Sequence, residues 1–152
     1  MKIGMVIGMG VAVLAATVWL SVRQGDGGRA DPHDTRQVAR GEALYREHCA
    51  ACHGQRLEGQ PDWRYRNVGG RLPAPPHDET GHTWHHSDAQ IFRLTKDGLV
   101  PPLAPPGYES DMPAFGAVLM DEQIWAVLAF LKSRWPSPIR DRQSRLNAGE
   151  AR

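Results

Sequence analysis

Cys49 and Cys52 are the only cysteines in the chain, and His53 follows them directly in the stretch CAACH. Cys-x-x-Cys-His is the attachment motif of a c-type haem. Two thiols separated by two residues on a helical turn reach the two vinyl groups along one edge of a porphyrin, and the next imidazole then lies over the iron. The rival chemistries of a Cys-x-x-Cys pair are a redox disulfide and half of a zinc site. Zinc needs further sulfur or nitrogen ligands in partner spacing, and there is no second cysteine pair. A thioredoxin-like pair needs strands joined by crossover helices, a pattern the sequence lacks. One covalent haem c, held by Cys49, Cys52 and His53, is therefore the expected cofactor.

The iron then needs a sixth ligand or a vacancy. Met112 stands in ESDMPAFG, shortly before an apolar helical stretch. A thioether is a recognised axial ligand of such haems and raises their reduction potential. A methionine is more often core filler, but Met112 lies between Asp111 and Pro113 in a polar, Pro-rich loop. Met120, the other methionine beyond the N-terminal segment, sits at the mouth of a helix, where packing or a cap position explains it.

A third cluster is PAPPHDETGHTWHHSD, with His77, His82, His85 and His86 within ten positions. His82 and His85 have a His-x-x-His spacing, and imidazole suits copper, nickel or zinc; no acidic or sulfur ligand is arranged with them. One of these histidines in place of Met112 is a further reading. The preferred reading is local: Trp84 and a histidine line the haem edge and donate to propionates or to a backbone that has few ladders of its own. His33 and His48 read as linker and helix surface.

Three helices position these groups. Asp34 or Thr35 caps a helix carrying Val38, Gly41, Tyr45 and His48, with Gln37 placed to complete a capping box. Ser87-Asp88-Ala89-Gln90 opens a short middle helix over Ile91, Leu94 and Thr95 that stops at Gly98. Asp121 precedes EQIWAVLAFLKSRW, where Ile124, Val127, Leu128 and Leu131 share one face before Pro136. Residues 54–86 and 98–119 are dense in Pro and Gly without period-two alternation. Loops of that length imply that something other than protein fills the middle.

With 152 residues, 41% hydrophobic and 23% charged, the chain fits one small domain and a short appendage. Residues 31–133 carry ten Lys/Arg against fourteen Asp/Glu, and residues 134–152 five against two. A mildly acidic body with a basic tail has no electrostatic footprint for nucleic acid. The twenty residues from Ile3 to Val22 are uncharged and, at about 1.5 Å per residue, span the ~30 Å hydrocarbon core. Gly28-Arg29-Ala30 is too distant for a typical signal-peptide cleavage site, so an uncleaved anchor is expected. Gly4, Gly8, Ala12 and Ala16 form a small-residue stripe of a kind common in membrane helices. The expected organisation is an anchor at 1–23, a Gly- and Pro-rich tether at 24–33, the domain at 34–135 and a frayed basic tail at 136–152.

A helix ending in CAACHG, a middle helix, a DMPAF loop and a last helix EQIWAVLAFLKSRW resemble the class I cytochromes c, specifically small bacterial membrane-anchored monohaem ones. The resemblance covers about residues 35–135. It implies an all-α cytochrome c fold around one covalent haem, preceded by one N-terminal transmembrane helix. It also implies a crossing of first and last helices in which Gly41 and Tyr45 meet Val127 and Phe130, Gly41 supplying the missing side chain. In such proteins a Pro carbonyl accepts from the second ring nitrogen of the ligating His. The candidates are Pro73, Pro75 and Pro76, with Pro75 carried forward as a cofactor-binding residue beside Trp84.

The implied function is single-electron transfer by a His53/Met112-ligated haem, without substrate chemistry. Donor and acceptor would be an oxidase, reductase or dehydrogenase of a respiratory chain. The alternatives are a haem subunit of a larger oxidoreductase and a gas-binding or sensing haem protein with a labile sixth ligand. Haem attachment of this kind occurs outside the cytoplasmic membrane, so the domain is expected in the periplasm with the N-terminus inside.

Overall fold

The computed structural model describes residues 30–150. Among them α1 spans Thr35–His48, α2 Ala50–His53, α3 Asp88–Asp97, α4 Asp121–Ser133 and α5 Ser137–Glu150, with a 3-10 turn at Thr83–His85. The described residues contain no strand, as expected. The Ile3–Val22 segment lies outside them, and no described helix is long and apolar enough to cross a membrane.

Asp34 caps α1, its Oδ1 accepting from the N–H groups of Arg36 at 2.9 Å and Gln37 at 3.1 Å. Gln37 does not complete the expected box. Its Oε1 accepts from Asp31 N–H at 2.8 Å, which folds the preceding residues onto the helix and buries Ala30. Residues 30–33, expected as the end of a tether, pack against α1 instead.

The most extensive helix–helix contact joins α1 to α4. A Cβ on Gly41 would overlap the Ala126 carbonyl and lie 3.0 Å from Phe130 Cβ, so only glycine permits this approach. Tyr45 packs on Phe130, ring centroids 5.4 Å apart. Gly41 thus meets Ala126 rather than the expected Val127. Successive helical residues point about 100° apart, and Val127 is turned toward the cavity described below. From Ala126 to Lys132 every residue of α4 is buried. A helix apolar on nearly all sides is the central one, and α4 packs against both α1 and α3.

Two caps differ from expectation in detail. Ser87 Oγ accepts from Gln90 N–H at 3.2 Å, as its position predicts, but the Gln90 amide oxygen meets His86 Nδ1 at 3.1 Å instead of closing a box. Asp121 is the first residue of α4, not its cap. Its carboxylate takes Lys96 Nζ at 2.7 Å, while the Met120 N–H is satisfied by Gln123 Oε1 at 2.8 Å.

The largest departure is residues 136–152, expected as a frayed tail. The Pro136 carbonyl accepts from Ile139 and Arg140 and starts α5, where Pro138 suits the first turn. The helix docks through a polar seam. Gln143, 0% exposed, donates to Asp88 Oδ1 at 2.6 Å, and Asn147 Oδ1 accepts the Asp88 N–H at 2.8 Å. Lys132 Nζ reaches the other Asp88 oxygen at 2.6 Å. These bonds join α3, α4 and α5 at one carboxylate.

Candidate functional site

A cavity of about 730 Å³ opens between α1–α2, α3, α4 and the two long loops. Cys49, Cys52 and His53 line it, and so does Met112. Much of the remaining wall is apolar, including Leu72, Ile91, Leu94, Phe115, Leu128 and Leu131. This is the space enclosed by the helices and residues 54–86 and 98–119.

His53 closes α2, and the chain then reverses so that Gly59 N–H donates to the His53 carbonyl at 2.8 Å. Residues 57–60 next pair with 74–77: Gln60 N–H donates to Ala74 O at 2.9 Å, His77 N–H to Leu57 O at 2.8 Å, and Ala74 N–H to Gln60 Oε1 at 2.9 Å. Gly59, at φ +69°, lets this pairing close, since a Cβ there would overlap the Pro76 nitrogen. The pairing brings the Pro75 carbonyl to 2.8 Å from His53 Nδ1. A carbonyl only accepts, so Nδ1 carries the proton and Nε2 keeps its lone pair. Burial holds the His53 pKa below the ordinary imidazole value, although the Pro75 bond pulls the other way; the ring is a neutral nitrogen donor. Burial, and next the neighbouring Cys52, push the Cys49 thiol up to about 11. Of the three prolines considered, Pro75 is the one that contacts His53.

Met112 is half-buried and its N–H donates to Ser110 Oγ at 3.0 Å. Arg71 clips this loop to the one opposite by pairing with Asp111 and, at 3.4 Å, with Glu109. The Asp111 bond first, and then Glu109, raise the Arg71 guanidinium further above its ordinary range. On the far side Phe115 N–H and Gly116 N–H donate to the Thr95 and Lys96 carbonyls at 2.9 Å each, which fixes the loop to the end of α3. The Arg71 clip has no signature in the sequence, because it joins residues 40 apart.

A sequence model of the family described as cytochrome c oxidase, cbb3-type, subunit III matches residues 36–131. The chain belongs to this family. No curated protein and no solved structure matches it. It is a class I monohaem cytochrome c domain with one covalent haem c, in keeping with the spacing of Cys49 and Cys52. The cavity suits that group: two thiols and a neutral imidazole lie on the wall of an apolar space of about 730 Å³ that also holds a thioether. Haem-based electron transfer follows from the family.

The histidine loop divides around this cytochrome site. His77, His82 and His86 line the cavity, and His85 does not. His77 stacks on His53, ring centroids 4.0 Å apart. His82 stacks on Trp63 at 5.3 Å and meets the edge of His86 at 5.5 Å. Trp84, expected at the haem edge, is not among the residues lining the cavity; it stacks on His85 at 3.8 Å with the Arg142 guanidinium 5.0 Å from its ring, and its buried indole N–H has no partner among the described residues. The 3-10 turn explains this. With three residues per turn, Thr83 and His86 share the cavity side, while Trp84 and His85 face α5. Trp63 is the indole on the cavity wall, and its place in the Arg-rich stretch WRYR drew no attention in the sequence. His48, expected on the helix surface, also lines the cavity and lies 6.4 Å from Phe115. Among the described residues no three His, Cys, Asp or Glu side chains converge as a metal-ligand set, so the second-metal reading gains no support.

Proposed function

We propose that this cytochrome domain is a single-electron carrier in which His53 and Met112 are the two axial ligands of the haem iron. The supporting observation is the shared cavity. His53 is held by Pro75 with Nε2 available, and among the described residues Met112 is the one methionine on the same wall. When bound, haem c supplies a one-electron couple at its iron, and a thioether ligand biases that couple toward a higher potential. The protein's own contribution is to hold the ligands, exclude water and tune the potential. Pro75 fixes the ring of His53; Arg71 and Ser110 hold the Met112 loop; the apolar wall keeps the surroundings of low polarity. Single electrons then pass from a reduced donor protein to an oxidised acceptor without a substrate bond being made. The N-terminal segment anchors the domain to the cytoplasmic membrane, N-terminus inside, with the domain in the periplasm. Met112→Ala tests the ligand assignment. The methionine-to-ferric-iron charge-transfer band should disappear and the potential should fall, and an unchanged band would assign the sixth position elsewhere.

A second reading is that the chain works as a haem subunit of a larger oxidase complex. The family description favours it, because that family is named as a subunit of a cbb3-type oxidase. Purification from the native membrane separates the two. A chain that leaves the membrane alone is a free carrier, and one that co-purifies with oxidase activity is a subunit.

A further inference from the structure

We propose that His77 is a positioning residue: its imidazole, stacked on His53 and locked by Thr83, sets the plane in which His53 presents Nε2 to the iron. The inference rests on His53 being an axial ligand. The bond from His53 Nδ1 to the Pro75 carbonyl tethers one ring atom at 2.8 Å but restrains χ2, the rotation that sets the ring plane, only softly. A flat partner pressed on the ring face removes that freedom. His77 is such a partner, with ring centroids 4.0 Å apart and planes 26° from parallel.

His77 is itself unusually well held. Its Nδ1 lies 2.7 Å from the hydroxyl of Thr83, a buried residue. Its N–H donates to Leu57 O at 2.8 Å, and its carbonyl accepts from the indole N–H of Trp135 at 2.7 Å. Trp135 is 1% exposed, so that anchor is buried in the core at the end of α4. Tyr45 meets the ring in an edge-on arrangement at 6.4 Å. The two backbone bonds fix the chain here whatever the side chain, and the Thr83 bond is the one that fixes the ring. Fixing ring, amide and carbonyl together suits a residue whose orientation matters, because a platform transmits orientation only when it cannot turn.

The plane of an axial imidazole sets how unpaired spin is shared among the haem methyl groups of the ferric protein, so proton NMR reads it directly. The haem-loaded wild type, His77→Phe, His77→Leu and Thr83→Val are compared by their haem-methyl shifts and reduction potentials. His77→Leu should reorder the methyl shifts and move the potential, with covalent attachment kept. His77→Phe keeps a flat ring on His53 but loses the bond to Thr83, so it should shift the methyls about as much as Thr83→Val and less than His77→Leu. Thr83→Val keeps the His77 ring but frees it, and should move the shifts in the same sense by less. Wild-type shifts in both His77→Leu and Thr83→Val overturn the proposal, even if both variants are less stable. If His77→Leu fails to fold, Thr83→Val decides alone: displaced shifts support the platform and wild-type shifts overturn it. Absence of axial-imidazole resonances in the wild type itself would show that the ligation reading has failed, and the proposal with it.

Discussion

Asp88→Ala should be among the most destabilising single changes outside the haem cavity. The carboxylate accepts from Lys132 Nζ at 2.6 Å and from Gln143 Nε2 at 2.6 Å, and its side chain is only 16% exposed. Lys132 is 7% exposed and Gln143 0%, so neither can turn to water when the carboxylate goes. Removing one member of a buried pair costs about 3 to 5 kcal/mol. Gln143 retains a longer bond to the His86 carbonyl at 3.3 Å. We therefore expect about 3 kcal/mol, at the low end of that range. Lys132→Met alone removes one charged hydrogen bond, about 1.5 to 3 kcal/mol. The double variant should lose less than the sum of the two, since it leaves no orphaned ammonium. Urea unfolding of the haem-loaded protein, followed by far-UV circular dichroism at unchanged denaturant slope, measures all three. Asp88→Ala within about 0.5 kcal/mol of wild type would refute the reasoning that this seam holds the helices together, and strict additivity in the double variant would refute the Asp88–Lys132 pair.

Gly41→Ala places a methyl group against the Ala126 carbonyl, and overpacking of that kind costs about 1 to 3 kcal/mol; a melting temperature at or above wild type contradicts the close crossing. Cys49→Ala combined with Cys52→Ala should abolish covalent haem, read as loss of haem stain on a denaturing gel, and should reduce helicity because the cavity loses its contents. Acid should destabilise the fold through His77. Burial first, then the neighbouring His53 and His82 rings, hold its pKa well below the ordinary 6.5. Below that value the unfolded chain binds a proton that the native ring does not, so stability is intact at higher pH and falls on acidification toward the folded pKa. The slope is at most about 1.4 kcal/mol per pH unit. His77→Phe should flatten it by up to one proton, and an identical slope would contradict the assignment.

The parts of this domain that were legible in the sequence are those carried by local pattern. CAACH needs only its own five residues, and α4 announces itself through Ile124, Val127, Leu128 and Leu131 on one face. The Met112 loop stood out because a methionine is out of place between Asp111 and Pro113. Helix α5 was hidden for a physical reason: Gln143 and Asn147 dock it by hydrogen bonds to Asp88, and hydrophobic periodicity does not register polar seams. The side of the 3-10 turn that Trp84 takes was not legible, because nearness in sequence to the histidines does not encode it. Choosing Pro75 over Pro73 and Pro76 needed the pairing of residues 57–60 with 74–77, which involves backbone bonds that side-chain types do not encode.

Carbon monoxide added to the reduced protein at neutral pH tests the central claim, that both axial positions are filled by the protein's own side chains. With His53 and Met112 as ligands, the optical spectrum should stay essentially unchanged after mixing, while Met112→Ala binds the gas promptly. Rapid, stoichiometric binding to the wild type would contradict the carrier reading and point to an open or labile sixth position.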